Sequence, residues 1–320
     1  NDVTLEKFDS YSTVDYPAGT GTGSIRRITA WTNLSQVKSL GSSGGDQQYA
    51  DLEATCQRMV AMHDAPLWSV GTYRGVVSKI DLLFAVAPSL TGQDLANYFD
   101  VAKLVLSEDD PKLDLPEDKR WAAAIYGKSR EFSGALRNGI SESLVLLAVH
   151  GNSLFQQRLG IDCQSAAEHL VRELLTPLKT RILEANDHDL TAYAEAEPLE
   201  FLAILQDDLD RDTPECFGLL RPADTGFGGG CPRTGLLWAL EGLAWSPATF
   251  PQAALVLARL AEVEINDNWA NKPIASLKSI FRPWMPQTAA DLDARVRVVN
   301  LLGARFPRVA WDLCIDFING

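Results

Sequence analysis

The chain has 320 residues, 46% hydrophobic and 22% charged, enough for the core of one large or two ordinary domains and typical of a globular protein. A formal net charge of −13 argues against a nucleic-acid binder, which needs a basic surface to neutralise phosphates. No apolar run approaches the ~18 residues of a membrane-spanning helix; the strongest, at 144–149, excludes such a span.

The first ten residues lack the basic and apolar regions of a signal peptide. Residues 1–50 read as an irregular segment. Gly, Thr and Ser dominate 16–24 and 41–48 as in flexible loops, and 25–40 between them reads as a short helix. From Asp51 onward the apolar period is helical. Residues 66–87 fit one long helix with Pro66 in its first turn, where a missing N–H costs nothing. Thr91 and Asp94 have the spacing of a capping box. Residues 117–127 and 129–149 read as two further helices. Ser165 with Glu168 opens another, running to about Lys179, and 199–209 is amphipathic.

The C-terminal helices are the most regular. Leu236, Leu237, Leu240, Leu243 and Ala244 form one apolar stripe, which Ser246-Pro247 ends. Thr249 with Gln252 opens the next helix, with Ala253, Val256, Leu257, Leu260 and Val263 facing inward. Thr288 with Asp291 opens a third, with Leu292, Val296, Val299, Leu302 and Phe306 inward. Pro307 starts a last helix containing Trp311 and Ile315. No strand is predicted. The expected fold is all-α, a helical-repeat (α-solenoid-like) array of antiparallel helix pairs, with an irregular helical bundle as the alternative. The division expected is 1–50 irregular, 51–155 an N-terminal helical half and 156–320 a C-terminal one, the two halves also readable as one continuous array.

Five cysteines (Cys56, Cys163, Cys216, Cys231 and Cys314) are widely spaced and form no CxxC pair, as expected of reduced thiols in a cytoplasmic protein. The acidity is concentrated in residues 181–216, where eleven acids face two arginines. That segment would favour a basic protein or peptide partner.

Two His-Asp pairs, His63-Asp64 and His188-Asp189, supply the donor types of an all-α metal phosphohydrolase, with His150 and His169 as further candidates. The ordinary reading is that such dipeptides arise by chance near helix ends. The acidic run 206–212 departs from a diphosphate-binding DDxxD motif at Arg211 and reads as a solvated helix end. The glycine-rich stretches 19–24 and 226–230 lack the Lys and the preceding strand of a phosphate loop. No Ser-His-Asp or Cys-His set stands out, so neither a catalytic residue nor a cofactor is expected.

The segment 265–288, INDNWANKPIASLKSIFRPWMPQT, is the best candidate contact. Trp269, Asn271, Lys272, Arg282, Trp284 and Gln287 combine residues favoured at interface centres with polar groups at helix ends. Its bland alternative is a long connection stapled to the core by its Trp rings and shaped by Asn and Pro.

The stretches LLWALEGLAWSP, LARLAEV, NDNWANKPIASLKSIFRPWMPQT and RVRVVNLLGARFPRVAWDLC resemble a helical, HEAT/armadillo-like region of large uncharacterised bacterial proteins. The likeness covers about residues 230–318 and, more loosely, 60–150, including APLWSVGTYRG and VLSEDDPKLDLPEDKRWAAAIYGKSREFSGALRNGISESL. In such proteins these regions accompany STAND-type NTPase or SIR2-like modules linked to phage defence. The resemblance implies a non-enzymatic scaffold or sensor segment of a longer chain, contacting a protein partner and its own flanking domains. It brings no catalytic residue. The missing initiator Met and the stop just after a helical pattern fit an excerpt of that kind. The competing expectation is the metal-dependent hydrolase.

Overall fold

The computed structural model of the chain describes residues 49–70, 73–223 and 230–319. The expected loops 16–24 and 41–48, the helix 25–40 and most of the glycine stretch 226–230 lie outside these residues. The described chain is mostly helix, so the all-α expectation holds apart from one two-stranded hairpin. No helix among the described residues is long and apolar enough to cross a membrane. Two compact units interleave along the sequence. Residues 1–107 with 131–167 make the first, and 108–130 with 168–320 the second.

The first unit begins with α1 (Tyr49–Val60). The hairpin follows, β1 (Leu67–Val70) against β2 (Tyr73–Val76), antiparallel with Leu67 opposite Val76 and Trp68 opposite Gly75. The single helix predicted over 66–87 is therefore corrected to a hairpin and a short helix, α2 (Lys79–Val86), capped by the Ser78 hydroxyl, which accepts from Asp81 N–H at 3.3 Å. The Trp68 indole lies across the face of Gly75, where only a glycine leaves room for it.

Helix α3 (Gly92–Leu106) starts at the predicted capping box, with Thr91 N–H donating to the Asp94 carboxylate at 2.8 Å and Asp94 N–H to the Thr91 hydroxyl at 3.3 Å. Its last carbonyls, Val105 and Leu106, accept from the guanidinium of Arg137, buried in α4 (Gly134–Gly151). Burial is tolerable because those carbonyls, left open at the helix end, accept from that charge. Helix α4 loosens into one π turn at Asn152–Gln156 and ends at left-handed Gly160. The core gathers Cys56, Met59, Leu67, Leu83, Leu147 and Phe155 among others.

Helix α5 (Cys163–Leu175) is capped by Asp162, whose carboxylate accepts from Ser165 N–H at 2.9 Å, so Ser165 is not its first cap. It stops at Leu175, ahead of the predicted Lys179, because Pro177 disfavours helix in the residue before it.

The second unit opens with 3₁₀ turns at Pro111–Asp114 and Glu117–Ala122, the latter where a longer helix was expected. Then come α6 (Thr180–Ala185), α7 (Leu190–Ala196), α8 (Pro198–Leu209), a 3₁₀ turn at Glu215–Leu220, α9 (Thr234–Trp245), α10 (Phe250–Ala261), α11 (Pro273–Phe281), α12 (Leu292–Arg305) and α13 (Pro307–Asn319).

The predicted stripe of α9 is buried throughout, and so are Ala253, Val256, Leu257 and Leu260 of α10. The Thr249 hydroxyl does not cap α10; it donates back to Leu243 O of α9 at 2.5 Å. Asp291 alone caps α12, through Ala294 N–H at 2.7 Å, while Thr288 accepts from Ala290 N–H in the turn before it. The buried side of α12 is Val298 and Leu302, whereas Leu292 and Val296, expected inside, are exposed.

Packing follows a pattern. Neighbours α7 and α8, α9 and α10, α10 and α11, and α12 and α13 touch. Helices two apart touch as well, α7 with α9, α8 with α10, α9 with α11, α10 with α12 and α11 with α13.

Candidate functional site

The segment 265–288 is built around a buried ion pair. Arg233, fully buried just before α9, donates to both carboxylate oxygens of Asp267 at 2.9 and 2.8 Å. Its Nε donates to Asn271 O, and Nη1 reaches Arg221 O at 3.4 Å. Asp267 also accepts from Ala223 N–H (3.0 Å) and Trp269 N–H (3.1 Å). Burial pushes the Asp267 carboxyl up, but those backbone N–H groups and the Arg233 guanidinium outweigh it and hold it below its usual value. A charge pair this deep is tolerable because its hydrogen-bonding capacity is used.

Several of the candidate residues serve the same knot. Asn271 donates from Nδ2 to the Thr234 hydroxyl at 3.0 Å, and Lys272 donates to Ile265 O and Asp267 O at 3.1 and 2.9 Å. Trp269 is half-buried with its indole nitrogen enclosed. Gln287 is half-buried and fixed by its N–H on Ser279 O at 3.2 Å. Of the other two, Arg282 is half-buried and Trp284 turns outward. The Arg282 guanidinium sits 5.9 Å from the Trp284 ring centre, and Trp284 is 65% exposed beside exposed Met285. Four of the six candidates therefore shape the connection, and Arg282 with Trp284 presents a surface. An open depression of about 500 Å³ beside the knot is lined by Asp267 and Lys272 among others, and both charges are already engaged by the fold.

Sequence reasoning passed over other outward-facing residues. Trp238 and Trp245 are both exposed on α9, seven residues apart and hence on one side. Trp311, Ile315 and Ile318 form an exposed i, i+4, i+7 stripe on α13. The spacing was visible in the sequence, but on α9 the stronger Leu stripe drew the apolar reading to the opposite face, and in α13 Trp311 and Ile315 were named without a face. Ala289 N–H donates to Trp245 O at 2.9 Å, so the chain just after Trp284 and Met285 runs past the end of α9.

The metal candidates do not assemble. Among the described residues no three His, Cys, Asp or Glu side chains form a group able to hold a metal ion. His63 is fully exposed and stands 3.2 Å from its neighbour Asp64. His188 is exposed and stands 3.9 Å from Asp187, whereas Asp189 is buried. His150 packs edge-on against Phe84, and His169 lies 3.6 Å from Glu173.

Much of the acidic segment is spent internally. Glu184 pairs with Arg120 and Arg221, Glu200 with Arg172, and Glu215 with Lys179. Asp208 is fully buried and accepts from the N–H groups of Glu215 and Cys216. Asp207, Asp210 and Asp212 remain exposed. All five cysteines are free thiols, four of them buried, and burial pushes Cys163 up to about 11.

A family model described as phage tail tube protein, TTP, matches residues 1–59, less than a fifth of the chain. That match stops inside α1, before the hairpin and every later helix. No curated protein and no solved structure matches the chain.

Proposed function

We propose that the chain is a non-enzymatic helical interaction module, with α7 to α13 stacked as an α-solenoid-like array that offers one face to a protein partner. The contact pattern supports the stacking. In a two-layer array each helix packs on those two places away, as α7 to α13 do throughout, so α7, α9, α11 and α13 make one row and α8, α10 and α12 the other. The observation that carries the functional reading is the exposure of tryptophan. Of the eight, Trp31 is outside the described residues, Trp269 is half-buried, and Trp68, Trp121, Trp238, Trp245, Trp284 and Trp311 are all between 45 and 66% exposed. Tryptophan is ordinarily well buried, and its large amphipathic ring is enriched at the centres of binding interfaces. Four of the six sit on or directly after the row α9, α11, α13: Trp238, Trp245, Trp284 and Trp311.

The partner is a protein or peptide with an apolar surface able to receive the tryptophan rings. A larger cytoplasmic bacterial protein with signalling or defence modules would provide such a setting, as the resemblance of the helical stretches implies.

The test is the pair Trp284→Ala and Trp311→Ala in the full chain, compared with wild type for partner recovery from the source cells and for thermal stability. The expected result is loss of one defined partner with stability changed by no more than about 0.5 kcal/mol, as for exposed positions. Retention of every wild-type partner by the double variant would remove the reading.

A further inference from the structure

Residues Glu108–Arg130 belong to the second unit, although the chain on both sides of them belongs to the first. The chain therefore leaves one unit, lies along the other for 23 residues and returns. What holds this strap down is unusual. Ala122 is its one fully buried apolar side chain, Leu113 and Leu115 are half-buried, and Trp121, Ile125 and Tyr126 are 64, 81 and 54% exposed. Apolar burial thus contributes little to its attachment. Its backbone hydrogen bonds close locally, as in Lys128 N–H to Ala123 O at 2.8 Å.

The attachment is ionic. Arg181 of α6 bridges two strap carboxylates, Asp109 at 2.8 Å and Asp114 at 2.7 Å. Arg221 takes Glu117 at 2.7 Å and also pairs with Glu184, which in turn lies 3.5 Å from strap residue Arg120. Arg130 donates to Ala185 O at the end of α6. Hydrogen bonds from Lys128 and Arg181 hold the Asp114 carboxyl below its usual range, so these charges are present at neutral pH.

We infer that Glu108–Arg130 is an electrostatic strap that detaches from the second unit as a piece, without unfolding it, when its interlocked ion pairs are screened or competed away. Partly exposed pairs are individually weak and screened by salt, whereas the apolar packing of α9 and α10 is not. Salt therefore weakens the strap's attachment and leaves that packing in place, and local opening is the cheaper event.

Amide hydrogen exchange on the full chain, at low salt and at about 1 M NaCl where the Debye length is about 3 Å, separates the cases. The strap amides, Lys119, Ala123, Ile125 and Lys128 among them, are expected to exchange about tenfold faster at high salt, with α9 and α10 unchanged. Arg181→Met is expected to produce the same acceleration at low salt and to shrink the salt effect. Strap exchange independent of salt in the wild type would overturn the inference, and so would acceleration of the strap only in step with α9 and α10.

Discussion

At the scale of single residues, Arg233 and Asp267 decide whether the segment 265–288 is a surface or a scaffold. The pair is buried on both sides, and Asn271, Trp269 and Ala223 are tied into it. Arg233→Met fills the same space but leaves a buried carboxylate without its cation. It is expected to cost about 3–5 kcal/mol in denaturant unfolding. Glu215 gives a pH signature. The Thr180 backbone N–H, then the Lys179 ammonium and the Thr180 hydroxyl hold its carboxyl down at about 2. A carboxyl depressed on folding stabilises the native state above its unfolded pKa, about 4.3, and loses that contribution as pH falls toward 2. Melting of wild type and Glu215→Gln is therefore expected to differ most at neutral pH and to converge between pH 5 and 2. A difference independent of pH would assign the residue a packing role instead. The identity of the segment's key pair was hidden in the sequence, because Arg233 and Asp267 lie 34 residues apart and neither stands in a motif.

At the scale of elements, local chemistry was legible where a helix end declares itself. Thr91 and Asp94 make the predicted box, and Thr91→Ala is expected to cost about 1 kcal/mol, read from thermal unfolding. Gly235 was not legible in the same way. Its N–H donates to the Asp187 carboxylate at 2.7 Å, and an added Cβ would run into the Asp187 backbone carbonyl. Gly235→Ala must push α9 off the turn before α7, so a loss of several degrees in melting temperature is expected where an ordinary helical Gly→Ala would raise it. The hairpin was missed for a physical reason. LWSV and YRGV are short apolar runs whose period does not distinguish strand from helix, and Pro66 supplied a helix-start signal. The better clue was two β-branched and aromatic runs separated by two residues. In α12 the error was one of face. Apolar identity alone placed Leu292 and Val296 inside, but burial follows contact with α10 and α13, which reaches Val298 and Leu302.

At the scale of the whole molecule, helix content and the apolar stripes of α9 and α10 were written in the sequence, because a 3.6-residue period over twelve residues leaves little alternative. Which apolar residues stay outside was not, since exposure depends on what other elements cover. The exposure of Trp238, Trp245, Trp284 and Trp311 emerges only when the helices are placed. In the proposed function these four tryptophans meet a partner. The most direct measurement is photo-cross-linking in the source cells, with a benzophenone side chain at position 311 and, as control, at exposed Asp212. One discrete adduct from position 311, absent from 212 and abolished by Trp284→Ala in the same chain, is the predicted result. The same adducts from both positions, or none from 311, would contradict it.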